Sequence, residues 1–199
     1  MSGVDGTGVV LATRNPHKVR EFNRLLAPAS IAVVALPDAV VLPPEDGVTF
    51  AENALPKAHT AAGATGRVSI ADDSGIEAEA LGGRPGVRSA RFAGDDASDQ
   101  ANLDKLMAEV PAGSGLRYVC ALAYVDPATG TEEVFFGTCT GRRAETARGT
   151  GGFGYDPAFV PDGDWGGRTM AELSDAEKDG ISHRGRAVQA FMAWLRERG

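Results

Sequence analysis

The sequence contains little cysteine: Cys120 and Cys139 are the only two in 199 residues. They lie in separate apolar stretches and do not have the short spacing of metal-binding cysteines. This scarcity argues against a cysteine-based zinc site and against a disulfide framework. Both residues are therefore predicted to be buried free thiols in a reducing cytoplasm.

Positive charge is also scarce, because 20 lysines and arginines face 27 aspartates and glutamates and leave a net charge of −7. No run of Lys or Arg resembles a nucleic-acid-binding surface. No apolar run reaches the ~18 residues of a membrane-spanning helix, and the amino terminus does not resemble a secretory signal. We therefore expect a cytoplasmic protein that binds neither nucleic acid nor a membrane. A small anionic ligand is still compatible with this charge, because it needs only a local cluster of donors.

The sequence does contain short apolar runs that alternate with helical patterns, and 43% of it is hydrophobic. Its length predicts one domain spanning residues 1–199, with residues 1–7 expected to be disordered. Interleaved strands and helices, with one hairpin, predict an α/β protein with a mixed sheet. Strands are predicted at 8–13, 31–35, 68–71, 76–81, 116–125 and 132–140, and helices at 16–27, at 49–62 with a Thr49–Glu52 capping box, at 98–110, from Ser174 and from Ser182.

The segment Ala71-Asp72-Asp73-Ser74-Gly75 ends an apolar run in two adjacent carboxylates. Burying an aspartate at the end of a strand is costly unless a metal or hydrogen bonds compensate it. The alternative is an ordinary polar turn, since Asp-Ser-Gly is common in turns. Neighbouring side chains of an extended strand point to opposite faces, so the two aspartates are expected to have different roles.

The segment Thr13-Arg14-Asn15-Pro16-His17-Lys18 joins a strand to a helix. Asn15 is suited to cap the helix, and Pro16 is suited to its first position. The unpaired N–H groups of a helix start, together with Thr13, Asn15 and Lys18, can bind an anion such as phosphate. A lysine in the first turn disfavours the helix itself, which suggests a bound anion. The alternative is an ordinary capped helix with a solvated lysine.

Glu45 lies on a proline-rich loop, and together with Asp72 and Asp73 it offers carboxylates from separate segments. Carboxylates near phosphate donors are the ingredients of a Mg²⁺-assisted phosphate reaction. Taken alone, Glu45 is better interpreted as a solvated loop residue. Asn53 and Lys57 are spaced i, i+4 on one helix face, and Lys57 could reach the same phosphates, although such a pair alone is expected to be exposed.

The segment Gly149-Thr150-Gly151-Gly152-Phe153-Gly154 matches the pattern G-x-G-x-x-G. A dinucleotide-binding motif should follow a strand and open a helix, whereas Tyr155 continues here into an extended segment, so that function is rejected. Phe153 or Tyr155 could stack on a base, or could anchor the loop inward. Three donors that could contact carbonyl oxygens of a base lie at a junction between two helices: Lys178, His183 and Arg184.

Taken together, these segments resemble the inosine triphosphate pyrophosphatase family, which hydrolyses non-standard purine nucleoside triphosphates. Each motif is weak alone, but all six in the family's order, over nearly the whole chain, are specific. The matching stretches are Leu11–Lys18, Thr49–Ala54, Ala71–Gly75, Pro85–Phe92, Gly151–Pro157 and Ser182–Arg184.

The resemblance implies a fold and an activity. The fold would be a two-lobed single domain with a long central mixed β-sheet flanked by helices, an active site in the cleft between the lobes, and assembly as a homodimer. The activity would be Mg²⁺-dependent cleavage of ITP, dITP or XTP into the nucleoside monophosphate and pyrophosphate. Such a reaction would remove deaminated purines from the nucleotide pool.

The resemblance also implies roles for substrate-binding residues. Thr13, Asn15 and Lys18 would hold the triphosphate, with Lys57 assisting. The base and sugar pocket corresponds to Phe153, Gly154, Tyr155, Asp156, Lys178, His183 and Arg184.

The family's catalytic positions correspond to Glu45 and Asp73, both as metal ligands. Asp73 would also be the general base for a water molecule that attacks the α-phosphorus, and Ser74 would contact substrate. Asp46 is adjacent to Glu45, so the register of that ligand stays open between the two. Arg14 departs from the small residue usual at its position, and its side chain is expected to point outward.

Two other functions share the phosphate-binding residues. One is a pyrophosphatase for pyrimidine or modified nucleotides, and the other is a nucleotide-binding module without catalysis. The second would not need both Glu45 and Asp73, so their presence favours the enzyme. Donors aimed at position 6 of a purine would favour hypoxanthine and xanthine, which carry a carbonyl there, over adenine, which carries an amino group. Guanine shares that carbonyl and would have to be excluded through its 2-amino group.

Overall fold

The computed structural model describes residues 8–198, so the expected disorder of residues 1–7 concerns a segment outside the described residues. Within that range, six strands form one sheet flanked by helices, which confirms the α/β prediction. Across residues 8–198, no helix is long and apolar enough to cross a membrane. The strands are β1 (Val9–Leu11), β2 (Val33–Ala35), β3 (Ser69–Ala78), β4 (Gly115–Asp126), β5 (Thr131–Arg143) and β6 (Phe159–Pro161), and the α-helices are α1 (Pro16–Leu26), α2 (Phe50–Thr65), α3 (Asp99–Glu109), α4 (Asp175–Ile181) and α5 (His183–Arg198).

The sheet is mixed, with the strand order β2-β1-β3-β4-β5-β6. β1 pairs in parallel with both β2 and β3, while β5 and β6 are antiparallel. Parallel neighbours require crossover connections. Helix α1 lies in the connection from β1 to β2, and helix α2 lies in the connection from β2 to β3. Because Leu11 pairs with Ile70, the residues that follow β1 and the middle of β3 come to the same edge of the parallel strands.

β3 runs without interruption through Ser69–Ala78, so the prediction of a strand ending at Ala71 was wrong. Asp72 and Asp73 lie inside the strand and are 1% and 5% exposed. A strand tolerates buried carboxylates when donors compensate them. Both aspartates have such donors, which come from distant parts of the chain.

The helix starts confirm the predicted caps, with one difference. Asn15 caps α1 with its side chain. The hydroxyl of Thr49 accepts a hydrogen bond from the N–H of Glu52 at the start of α2. The carboxylate of Glu52, however, accepts from the N–H of Val48 rather than from that of Thr49, so the capping box is not closed as predicted. Both caps rest on residues close in sequence, which is why sequence patterns reveal them.

The chain divides into two compact units. The first unit contains the chain up to Asp73, Cys120–Gly137 and the segment from Arg184 onward. The second unit contains Ser74–Val119 and Thr138–His183. Each unit has its own core of buried hydrophobic side chains.

Both cysteines are buried free thiols, as predicted. Cys120 belongs to the core of the first unit with Phe22, and Cys139 belongs to that of the second with Phe159. Burial, together with the negative charge of Asp72, raises the pKa of the Cys120 thiol to about 12. That thiol is therefore protonated at neutral pH and is unsuited to nucleophilic catalysis.

Candidate active site

The two adjacent aspartates of β3 have different neighbours in the first unit. Asp72 contacts Lys18 and Arg184. Asp73 accepts a hydrogen bond from the side-chain nitrogen of Asn53, at 2.9 Å. The alternation expected of an extended strand is therefore confirmed, and the two carboxylates belong to two different clusters.

Asp72 lies in a buried cluster of opposite charges. The Nζ atom of Lys18 is 3.0 Å from its Oδ1 atom, and Nη2 and Nε of Arg184 are 2.9 and 3.2 Å from its Oδ2 atom. A second anion completes the cluster, since Nη1 of Arg184 donates to Glu21. Burial by itself raises the pKa of Asp72, but the positive charges of Lys18, Arg184 and Lys57 outweigh it and hold the pKa well below its usual range. Asp72 is thus a permanent carboxylate that holds two cations, and it is a poor proton acceptor.

Asp73 has the opposite electrostatic balance. Burial raises its pKa, and the negative charge of Glu45 adds to that effect. The ammonium of Lys57, which is 3.9 Å from Oδ1, and the hydrogen bond from Asn53 oppose the shift without cancelling it. The pKa of Asp73 therefore lies above the ordinary aspartate value. A more basic carboxylate is better suited to accept a proton near neutral pH.

Asn53 and Lys57 connect the loop that carries Glu45 to β3. The Nζ atom of Lys57 lies 2.5 Å from a carboxylate oxygen of Glu45 and 2.8 Å from the backbone oxygen of Asp72. The Oδ1 atom of Asn53 accepts a hydrogen bond from the N–H of Gly47, at 2.7 Å. The expectation that this pair is exposed was wrong, since Asn53 and Lys57 are 2% and 5% exposed. Their shared helix face was readable from the i, i+4 spacing, but its burial depends on a loop and a strand elsewhere in the chain.

The geometry resolves which acidic residue of the loop belongs to this cluster. Glu45 contacts Lys57, while its neighbour Asp46 is exposed. Glu45 and Asp73 therefore lie beside the same ammonium group. Among the described residues, no group of three or more His, Cys, Asp or Glu side chains could hold a metal ion by itself. Two carboxylates suit Mg²⁺, which commonly completes its coordination with waters and phosphate oxygens.

The start of α1 offers fewer backbone donors than expected. The Oδ1 atom of Asn15 accepts hydrogen bonds from the N–H groups of His17 and Lys18, at 2.8 and 3.3 Å, and Pro16 has no N–H. The prediction that these helix N–H groups are unpaired was therefore wrong, since the cap already uses them. Because the cap uses the oxygen of the Asn15 amide, the group that this side chain can offer as a donor is its nitrogen. The hydroxyl of Thr13 and the ammonium of Lys18 are the other donors of this segment.

Arg14 lies at the surface, as expected, with a side chain that is 44% exposed. Its guanidinium donates to the backbone oxygens of Leu36, Pro37 and Val40 at 2.8, 2.7 and 2.8 Å. The arginine thus ties the segment of Thr13 to the proline-rich loop. Since that loop leads to Glu45, Arg14 helps to fix the chain on both sides of the site.

A second polar cluster surrounds Asp156 in the second unit. Its Oδ2 atom accepts from Nζ of Lys178 at 2.7 Å and from the N–H of Phe153 at 2.9 Å, and its Oδ1 atom accepts from the hydroxyl of Tyr118 at 3.1 Å. The ring of Tyr118 stacks on that of His183, with centroids 4.6 Å apart. Nζ of Lys178 lies 5.3 Å from the centroid of Phe153. The structure therefore brings four of the predicted base-pocket residues together, and it adds Tyr118, which carried no signal in the sequence beyond its place in an apolar strand.

The other predicted residues of the pocket differ in their settings. The hydroxyl of Tyr155 donates to the backbone oxygen of Ser89 at 2.7 Å in the second unit, so Tyr155 is the inward anchor and Phe153 is the more exposed aromatic. Gly154 is half-buried and has a positive φ of 60°. Ser74 follows Asp73 in β3 and is also half-buried.

Arg184 differs from its prediction as a donor to the base. It belongs to the first unit, is 2% exposed, and directs its guanidinium at Asp72 and Glu21. The partners lie 112 and 163 residues away along the chain. No local pattern could have paired them.

Known proteins resemble the chain over almost its whole length. A model of the Ham1 family matches residues 9–194. Among curated relatives, a protein of Symbiobacterium thermophilum named dITP/XTP pyrophosphatase is 53% identical over 183 residues and 90% of each chain. A Streptomyces avermitilis protein of the same name is 46% identical over 200 residues, 96% of this chain and 98% of that one. A solved HAM1 protein from Coxiella burnetii has a TM-score of 0.83 at 36% identity, covering 96% of this chain and 98% of that one.

Proposed function

The chain belongs to the Ham1 family, and we propose that it is a nucleoside-triphosphate pyrophosphatase acting on ITP, dITP and XTP. The products would be the nucleoside monophosphate and pyrophosphate. The observation that carries the proposal is that Glu45 and Asp73 flank the buried ammonium group of Lys57. This arrangement brings together two carboxylates of the kind that Mg²⁺ prefers, and one of them, Asp73, has a raised pKa that suits a general base. The name dITP/XTP pyrophosphatase, which the curated relatives bear, supports the same reaction.

The triphosphate would be bound by the segment between β1 and α1. The amide nitrogen of Asn15, the hydroxyl of Thr13 and the ammonium of Lys18 are donors at one strand end. Lys18 is held in place by Asp72, so its position is fixed before substrate arrives. Lys57 would act mainly by orienting Glu45 and Asp73, since its ammonium already contacts both.

Glu45 and Asp73 are the residues that would hold Mg²⁺. When bound there, the ion supplies charge neutralisation for the phosphate oxygens and for the departing pyrophosphate. The two carboxylates fit this ion because Mg²⁺ commonly takes one or two carboxylates and completes its coordination with waters and substrate oxygens. Without the ion, the single positive charge of Lys57 offsets part of the negative charge of the two carboxylates.

Asp73 would act as the general base. Its carboxylate accepts a proton from a water molecule while the oxygen of that water forms a bond to the α-phosphorus. The bond between the α-phosphorus and the oxygen that bridges to the β-phosphorus breaks, and pyrophosphate leaves with the electron pair. Asn53 occupies the Oδ2 atom of Asp73, so Oδ1 is the oxygen better placed to contact water or metal. Ser74, the next residue of β3, would contact the substrate.

The cluster around Asp156 would contact the base and sugar. The ammonium of Lys178 is a donor without acceptor capacity, so it suits the 6-carbonyl of hypoxanthine or xanthine and repels the 6-amino group of adenine. Phe153 would provide a face for stacking, with Gly154 and Tyr155 shaping the loop and His183 contributing a further donor. For Arg184 we propose a positioning role, in which it holds Asp72 and thereby Lys18.

We further propose that the chain works in the cytoplasm as a homodimer, as the family resemblance implies. Light scattering at micromolar concentration should give twice the mass of a single chain. A single-chain mass at that concentration would reject the dimer and would leave the reaction untouched.

The reaction is tested by pyrophosphate release from ITP, dITP, XTP, ATP, GTP and dUTP with Mg²⁺. We expect turnover of the first three and weak turnover of the others. Fast release from dUTP instead would favour a pyrimidine or modified-nucleotide pyrophosphatase, and binding of ITP without release would favour a silent binding module. Full activity in the presence of a chelator would reject the metal site.

A further inference from the structure

Asn53 forms hydrogen bonds to two separate parts of the proposed catalytic site, the strand that carries Asp73 and the loop that carries Glu45. Its Nδ2 atom donates to Oδ2 of Asp73 at 2.9 Å, and its Oδ1 atom accepts from the N–H of Gly47 at 2.7 Å. The side chain is 2% exposed. One amide therefore fixes both the carboxylate in β3 and the loop that carries Glu45.

The polarity of the amide is set by its partners. A backbone N–H can only donate, so the oxygen of Asn53 must face Gly47 and the nitrogen must face Asp73. Gly47 fits tightly against this group, since a Cβ at that position would lie 2.7 Å from Oδ1 of Asn53 and 2.7 Å from Cβ of Glu52. A flipped amide would place two donors together at one end and two acceptors together at the other.

We propose that Asn53 is a positioning residue for catalysis, which selects the oxygen of Asp73 that reacts and holds the Glu45 loop at a fixed distance from it. This inference rests on the proposed function. By occupying Oδ2, the amide leaves Oδ1 as the oxygen beside Lys57, 3.9 Å from its Nζ atom. Hydrogen-bonding partners that orient a reacting or metal-binding carboxylate typically contribute 10- to 100-fold to activity.

The substitution Asn53→Asp changes one of the two hydrogen bonds of this side chain and keeps the other. Aspartate keeps the size of asparagine and still accepts from the N–H of Gly47, but it presents an oxygen to Asp73 in place of a donor. We expect kcat for ITP to fall about 10- to 100-fold, with a much smaller change in KM. Gly47→Ala disturbs the other contact, because an added Cβ would lie 2.7 Å from Oδ1 of Asn53 and would push the loop away from that oxygen. We expect this variant also to lower kcat for ITP.

Asn102 provides a matched control in the second unit. It is also 2% exposed on a helix, its Oδ1 atom accepts from the N–H of Ala93 at 2.8 Å, and its Nδ2 atom donates to the backbone oxygen of Ala90 at 3.0 Å. Asn102→Asp therefore also removes a buried side-chain donor, but at a position that does not contact Asp73. Both variants should lose thermal stability, but only Asn53→Asp should lose kcat.

A readout without substrate tests the contact itself. In metal-free protein, Asn53→Asp places a second carboxylate against Asp73, whereas in the Asp73→Asn background the new amide can donate to it. The melting temperature should therefore fall more for Asn53→Asp with Asp73 present than with Asn at that position. Equal losses in the two backgrounds would overturn the proposed contact.

The experiment begins with wild-type turnover of ITP, because its absence would reject the proposed function and not the role of Asn53. If wild type is active, kcat of Asn53→Asp within twofold of wild type would overturn the positioning role. Should Asn53→Asp not fold, Asn53→Ser removes the reach to Asp73 without adding a charge and is judged by the same criterion.

Discussion

The Nζ atom of Lys18 lies 3.0 Å from Oδ1 of Asp72, so the lysine proposed to bind phosphate already has a buried anionic partner. Asp72 also forms a salt bridge with Arg184, which in turn forms one with Glu21. Two cations and two anions balance in this cluster. Lys18 is thus pre-positioned by a network that itself needs no ligand, while Asp73, one residue further, lies against Asn53 and remains the more basic carboxylate.

Asp73→Asn should abolish turnover of ITP, with kcat falling by about 10²- to 10⁴-fold as for other general bases. Steady-state pyrophosphate release, with circular dichroism to confirm folding, provides the measurement. Near-normal kcat in the folded variant would remove Asp73 as the base.

The same substitution should raise the melting temperature of the metal-free protein. The folded-state pKa of Asp73 is raised, so its favourable contribution is complete below the ordinary value of 3.8 and is lost as pH rises through the folded-state pKa. Asparagine resembles the protonated form and avoids that loss at pH 7. For a chain of this size, each kcal/mol gained corresponds to about 2–4 °C. A lower melting temperature at pH 7 in chelator would contradict this balance.

Lys18→Ala should mainly raise KM for ITP, by about 10-fold or more, because a charged hydrogen bond to phosphate is lost. Lys105→Ala is a suitable control, since Lys105 is paired with Glu109 on an exposed face of α3. An unchanged KM for Lys18→Ala would reject its role in binding phosphate.

Asp72→Asn should destabilise the protein by about 3–5 kcal/mol at pH 7, because Arg184 and Lys18 lose a buried partner. The folded-state pKa of Asp72 is depressed, so its contribution is present above the ordinary value of 3.8 and is lost as pH falls toward the folded-state pKa. Urea unfolding of both proteins between pH 7 and pH 3.5 measures the difference. We expect it to be constant above pH 5 or so and to begin shrinking near the acid end; a difference that grows there would contradict the assigned direction.

Lys178→Met should reduce the preference for ITP over ATP by about 10- to 100-fold, because methionine keeps the stem of the side chain and removes the donor. The ratio of kcat/KM for the two substrates is the measurement, and Lys105→Met controls for loss of a lysine elsewhere. An unchanged ratio would place discrimination outside the Asp156 cluster.

Local features of the fold were predictable from the sequence, whereas the burial of the site was not. Asn15 and Thr49 cap helices through residues two or three positions away, and strand alternation separated Asp72 from Asp73. The exposure of Asn53 was mispredicted because its partner Asp73 lies 20 residues away along the chain. Arg184 was predicted to contact the base, and its salt bridge to Asp72 could not be foreseen because Asp72 lies 112 residues away. Helix caps and strand periodicity can be predicted from patterns of a few residues. The tertiary contacts that bury charged side chains cannot, because they join residues far apart in the sequence.

Hydrolysis of ITP in ¹⁸O-labelled water tests the central claim most directly, because the label marks the phosphorus atom that water attacks. Attack at the α-phosphorus under the control of Asp73 predicts one labelled oxygen in inosine monophosphate and unlabelled pyrophosphate. Label in pyrophosphate, or release of inorganic phosphate with inosine diphosphate, would contradict the account.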